Sequence, residues 1–347
     1  MLRFIAAVLV VIFHAANDGF AAERSVFASF GNEAVLLFFV LSGLVIAIST
    51  AKPHQTLSTY AFARFTRIYS VAIPALFLSF GVGFWLQMNG APILNNPGHL
   101  SVYDALGSLF MLNEVWSIST SAPVNSPYWS LVYEAWYYVA FAAFMFGPKR
   151  WRWVLLAGIF VVAGPLIALL APVWLLGVWI ALDGRLRIRN EIVGWVFWMI
   201  SLVAFIALSV SQLRDEIRET IVAIHPALEG LQNSAVFPYD YLIGLLATLN
   251  FISFRAISHR FAVALRAIGP AVRFAAAYTF SIYLFHRPLL QVVRSFEFGR
   301  LEPTNFWLLV MGIVVATMGL GHVTERRLAT VKKWLAPVWS PRPRIVG

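Results

Sequence analysis

Residues 33–50 read EAVLLFFVLSGLVIAIST, and from Ala34 to Thr50 they carry no charged side chain. At 1.5 Å of rise per residue, such a run is about as long as the hydrocarbon core of a bilayer is thick, roughly 30 Å. An amphipathic surface helix of a soluble protein would place polar residues every third or fourth position, and this run has none at that spacing. Working outward, similar runs recur at about 4–22, 68–88, 128–147, 151–170, 172–183, 191–211, 236–254, 274–294 and 303–324, of which 172–183 is the shortest. The whole 347-residue chain is 60% hydrophobic and 12% charged, with mean hydropathy +0.76, whereas soluble domains are about half apolar and a quarter charged. The expected fold is therefore all-α: a polytopic integral membrane protein of about ten transmembrane helices. Residues 1–330 form one transmembrane domain, followed by a basic tail, 331–347, suited to anionic lipid head groups.

Placing the N-terminus inside assigns 20 of the 26 Lys and Arg residues to Arg3, the loops 51–67, 148–152, 183–190 and 255–273, and the tail. Five (Arg24, Arg214, Arg218, Arg294, Arg300) fall on the other side and Arg287 falls within a run. This asymmetry predicts that both termini are cytoplasmic. It also separates the net charge of +10 from a nucleic-acid footprint, which needs its cations clustered on one folded face. The absence of cysteine excludes disulfides, thiolate metal sites and a Cys nucleophile. A cleaved signal peptide ending near Ala16 or Ala22 is the competing reading of the N-terminus, and Arg3 alone ahead of the apolar run weighs against it. The outer segment 89–127 has no Lys or Arg, and its apolar stretch Tyr103 to Trp116 is expected to form a helix at the outer interface. The loop 212–235 reads as an ion-paired helical turn whose role is connection.

Ionisable groups within the spans are costly in hydrocarbon and mark candidate sites. Arg3 and His14 are 11 residues apart, about 20° around a helix, with Asp18 one turn further on, so the three share a stripe. Ser130, Glu134 and Tyr138 recur at i, i+4 and i+8 and form a polar seam, for which a structural tie to an Arg or to backbone is the plainer use. The ninth run carries His286 and Arg287, with Thr279 and Tyr283 on the His286 face; a snorkelling role for Arg287 is the alternative. Counting residues at 1.5 Å each places His14 about 16 Å above the inner boundary and His286 about 20 Å above Arg273. Glu134 falls about 20 Å above the inner boundary, so three titratable groups are expected in one outer-half layer. Arg64 and Arg67, at i and i+3 at the mouth of the third run, suit the phosphates of a nucleotide-like donor, against the plainer role of membrane anchors. His322 and Glu325 suit a structural ion pair with an Arg. No Gly-rich phosphate loop, metal-ligand cluster or nucleophile elbow occurs.

Six stretches in order make the sequence resemble the membrane-bound acyltransferase-3 family, which includes bacterial O-acetyltransferases of surface polysaccharides. They are LRFIAAVLVVIFHA at 2–15, FFVLSGLVI at 38–46, RFTRIYS at 64–70, PYWSLVYEAWYY at 127–138, SIYLFHRPLL at 281–290 and TERRL at 324–328. The resemblance implies a cytoplasmic acyl-CoA donor, an acceptor hydroxyl reached from the outer side, and an essential histidine in the first helix. Carried over residue by residue, that histidine is His14, its companion is Arg3, the arginine pair is Arg64 and Arg67, and the acid of the WSLxxE motif is Glu134. Ser70 stands where the family usually has Pro, and Arg326-Arg327-Leu328 replaces the common Arg-Pro.

The expected enzyme is an acyl-CoA-dependent O-acyltransferase of the bacterial cytoplasmic membrane. It moves an acyl group, with acetyl expected, to a hydroxyl of a carbohydrate or lipid-linked carbohydrate. His14 is the general base, Asp18 or Glu134 holds its tautomer, Arg64 and Arg67 clamp CoA phosphates, and Arg3 orients the acyl arm. His286, Ser130, Tyr138 and Trp129 are expected to line the acceptor site or pore. No permanently bound cofactor and no metal is expected; membrane lipids are partners, and the oligomeric state is left open. The sequence equally leaves open whether His14 acts only as a base or is itself acylated. The rival is a proton-coupled secondary transporter or flippase, against which stand the lack of an inverted repeat and of matching broken helices.

Overall fold

The computed structural model describes residues 1–21, 26–91, 100–116, 118, 120–183, 186–297 and 299–339. Their regular structure is helical, and the one extended pairing among them is an isolated bridge between Ala21 and Leu301. The helices are α1 Leu2–Asn17, α2 Gly31–Thr50, α3 Leu57–Met88, α4 Val102–Leu109, α5 Tyr128–Phe146, α6 Arg152–Ala163 and α7 Pro165–Leu182. They continue as α8 Glu191–Val210, α9 Leu213–Ile224, α10 Phe237–Ile257, α11 Ala262–Ala276, α12 Thr279–Arg294, α13 Pro303–Val323 and α14 Leu328–Trp339.

Six of these elements, containing α2, α3, α7, α8, α10 and α13, are long and apolar enough to cross a membrane. Of the four other expected spans, α1 and α12 have 16 residues and α6 has 12, while α5 has 19 and is less apolar. Three of those four carry His14, Glu134 and His286, and α12 is buried along almost its whole length. Polar residues on interior helices face other helices rather than lipid, which lowers their hydropathy without exposing them to hydrocarbon.

Several boundaries move from where hydropathy placed them. The capping box between Thr56 and Thr59 starts α3 eleven residues before the expected 68. Its 32 residues span about 48 Å, more than the roughly 30 Å of a bilayer core. The break expected at 171 falls at Gly164, whose φ of +89° suits glycine, followed by Pro165 at the first helical position; Pro172 lies inside α7. The ninth span begins at Thr279, with residues 274–276 belonging to α11. The expected interfacial helix 103–116 shrinks to α4 and a series of turns. Arg24 and residues 340–347 lie outside the described residues; the first part of the tail is α14, whose Trp339 indole donates to the Ser58 carbonyl at 3.1 Å.

The centre is built by α2 against α7, with α1 between α2 and α12. A Cβ on Gly43 would overlap the Trp174 carbonyl oxygen, and one on Gly177 would overlap that of Val40. These two glycines therefore let the α2 and α7 backbones touch, as small residues do at helix interfaces in membranes. Helix α3 packs on α12 and α5, and α8 pairs with α10 on the far side of α7.

Candidate functional site

Helices α1 and α12 bring His14 and His286 together, ring centroids 5.3 Å apart and planes inclined by 35°. His286 is fully buried, and its Nδ1 shares a 3.0 Å hydrogen bond with the Ile282 carbonyl. A carbonyl only accepts, so Nδ1 carries the proton and Nε2 is the acceptor nitrogen of the neutral ring. That Nε2 is buried and has no hydrogen-bond partner among the described residues.

Asp18, expected to hold the His14 tautomer, instead forms a buried ion pair with Arg287. Arg287 is 1% exposed, so it does not snorkel. The two meet because Asp18 caps the end of α1 beside the middle of α12; hydrocarbon offers neither charge a better partner.

Glu134 does not join the histidines either. Its Oε1 accepts from Ser42 at 2.5 Å and from Tyr138, and Trp174 Nε1 donates to Ser42 Oγ at 3.3 Å. The register explains the separation: Ser130 and Tyr283 share a hydroxyl hydrogen bond of 2.7 Å. Tyr283 lies three residues before His286 on α12, and Glu134 lies four residues past Ser130 on α5, which runs the opposite way. At 1.5 Å per residue, Glu134 sits about 10 Å from the histidine layer along the axis. The expected three-group layer is therefore two histidines, with the carboxylate two turns deeper.

At Glu134's level is a small chamber of about 50 Å³, lined by Arg3, Arg67, Ser130, Glu134, Tyr138, Thr279 and Tyr283 among others. Arg3 donates to the Leu41 carbonyl at 3.1 Å, and its Nε is buried without a partner among the described residues. Arg64 turns elsewhere. Its guanidinium lies 5.8 Å from the Tyr60 and Tyr138 ring centroids and donates to Ser49 Oγ at 3.1 Å. It borders a separate apolar groove of about 490 Å³ between α3 and α5. The two arginines read as one clamp thus serve two cavities. Glu325 accepts from the Ser281 amide and hydroxyl, both at 2.9 Å, and so caps α12 rather than pairing with an Arg as expected.

His14 lines a larger cavity, about 360 Å³, with Phe13, Asn32, Glu114, Trp129, Arg214, Arg218 and Tyr283. Trp129 stands edge-on to Phe39 and Tyr133. Tyr283 borders both this cavity and the small chamber, its hydroxyl held by Ser130 and by the Pro127 carbonyl at 3.2 Å. It is the partition between them. Sequence reading placed Tyr283 on the right face of α12 but missed Glu114, Arg214 and Arg218 as parts of a site, since Glu114 lies in a stretch read as an interfacial helix and the two arginines in a loop read as connection. Glu114 follows α4, outside the spanning helices, and desolvation pushes its carboxyl up to about 7. Ser42 sits inside the FFVLSGLVI stretch as the sole hydroxyl there, a signal that sequence reading left unused.

A histidine thus lines one cavity, and Arg3 and Arg67 line the chamber beyond the tyrosine that borders both. The family model described as an acyltransferase domain matches residues 1–325. The protein is thus a multi-pass membrane acyltransferase. It belongs to the acyltransferase-3 family. No curated protein and no solved structure matches it significantly.

Proposed function

We propose that the protein moves an acyl group, acetyl in the simplest case, from cytoplasmic acyl-CoA to a hydroxyl of a sugar or polysaccharide at the outer side of a bacterial cytoplasmic membrane. The chain crosses the membrane ten times with both ends in the cytoplasm, the shorter helices α1, α5, α6 and α12 completing the six long ones. The donor thioester approaches through the chamber of Arg3 and Arg67, and the acceptor through the cavity of His14. Neutral His14 takes the proton as the acceptor oxygen attacks the thioester carbonyl. The tetrahedral intermediate collapses, the carbon–sulfur bond breaks, and the CoA thiolate takes the proton from the imidazolium. His286 Nε2, an acceptor nitrogen on the neighbouring ring, replaces Asp18 and Glu134 as the group that steadies that imidazolium. Glu134 balances the Arg3 and Arg67 charges. Trp129 and Tyr138 line the acceptor and donor sides.

The observation that supports this reading is the position of Tyr283, with His14 in the cavity on one face and Arg3 and Arg67 in the chamber on the other. The test is CoA release and glycan acetylation by the purified chain in lipid nanodiscs. His14→Ala is expected to lower transfer by at least about 10²-fold, the usual contribution of a general base, with the melting temperature retained. Near-normal transfer overturns the proposal, and sugar movement without covalent change assigns the chain to transport instead.

A further inference from the structure

Beside the histidine cavity lies a larger one, of about 580 Å³, which the transfer step does not use. The two share Phe13, Asn32 and Arg214 as a common wall. Its size falls within the roughly 300–1,000 Å³ of pockets that enclose small-molecule ligands. Asn17, Glu33, Asp215 and Tyr239 also line it. Glu33, in the first turn of α2, is 2% exposed. Its Oε1 accepts from the Tyr239 hydroxyl at 2.8 Å, whereas Oε2 is buried and has no hydrogen-bond partner among the described residues. A carboxylate oxygen buried without a donor is costly, and a ligand hydroxyl removes that cost. Amides, a carboxylate and an aromatic ring around one space suit a polyhydroxyl ring. The opposed charges of Glu33 and Asp215 against Arg214 and Arg300 favour a neutral ligand.

We infer that this cavity binds a second sugar unit of the acceptor, so that the acceptor is a neutral oligosaccharide or polysaccharide of at least two residues. One ring sits by His14 and the next donates a hydroxyl to Glu33 Oε2. The inference rests on the reading of the chain as a sugar O-acyltransferase. It adds a length requirement, set by Glu33 and Tyr239 at a distance from the reacting atoms.

The probe is a ladder of tritiated neutral oligosaccharides of one to four residues, made by mild acid hydrolysis of the source cells' envelope polysaccharide. Binding to the purified full chain is read by equilibrium dialysis, and acetyl transfer from acetyl-CoA is read separately. Binding should tighten about tenfold from one residue to two, what one hydrogen bond to a charged group is worth. Glu33→Gln should lose that step, and Tyr239→Phe, which keeps the ring, should lose part of it; melting curves identify a variant that fails to fold. His14→Ala should keep the step while losing transfer. A wild-type ladder without the step, or an unchanged step in both folded cavity variants, overturns the inference. Transfer without the length step sinks the inference and leaves the enzyme reading standing. The length step without transfer sinks the enzyme reading and keeps the cavity.

Discussion

The hydroxyls of Ser130 and Tyr283 are 2.7 Å apart, and this bond ties the first turn of α5 to the α12 tyrosine that borders both cavities. In the proposed reaction this ring shields the donor chamber from water until an acceptor hydroxyl is in place beside His14. Tyr283→Ala is expected to raise acetyl-CoA hydrolysis without acceptor several-fold relative to transfer, while Tyr283→Phe, which keeps the ring, should not. A fluorescent thiol assay for free CoA measures both, and equal hydrolysis in the two variants would remove the partition role.

The buried ion pair of Asp18 with Arg287 predicts a role in stability for both residues. Removing one partner leaves the other charge buried and should cost about 3–5 kcal/mol, whereas apolar replacement of both costs much less. Asp18→Asn should therefore lower the melting temperature strongly, with partial recovery in Asp18→Leu/Arg287→Met. Lost activity at an unchanged melting temperature would return Asp18 to a role beside His14.

The divergence of Arg64 and Arg67 predicts unequal effects on the donor. Arg67 lines the chamber below Tyr283, so Arg67→Ala should raise KM for acetyl-CoA by about 10–100-fold, the range for hydrogen bonds to charged groups. Arg64→Ala, which removes a contact to Tyr60, Tyr138 and Ser49, should raise it much less. Equal increases would restore the pair to a single clamp.

Glu114 makes stability depend on pH. Its carboxyl is raised from 4.5 to about 7 in the folded protein, so the folded state holds the proton more tightly than the unfolded one. The resulting stabilisation is complete below about pH 4.5 and is lost as pH rises through about 7. Between about pH 5 and pH 8 the wild-type melting temperature should thus fall relative to that of Glu114→Gln. Parallel curves would show that Glu114 titrates normally.

Most residues that carry charge into the spans were legible in the sequence, because each breaks an apolar run, though Asp240, buried in α10, was passed over. Which of them meet was only partly legible. His14 and His286 come together as their depths implied. Glu134 does not, because counting along each helix assumed a common starting level, and the pairing of Ser130 with Tyr283 marks a different one. The Asp18–Arg287 pair joins residues 269 positions apart, and nothing local to either announces the other. Gly164-Pro165 does carry the signature of one helix ending and the next beginning; counting apolar residues alone overran it. Glu33 opens the very run whose hydrophobicity decides the fold, so its charge reads as a boundary rather than as a ligand-facing group.

The touching backbones of α2 and α7 have a mechanical corollary. With Gly43 and Gly177 each seated on the other helix's carbonyl, neither rod can slip by a turn without lifting a whole side of the bundle away. A carrier that rocks its halves needs a seam that parts, and the close contact of α2 with α7 is not a natural place for one. On the proposed reading, access between the two cavities therefore falls to side chains rather than to sliding helices, and Tyr283 is the side chain that borders both.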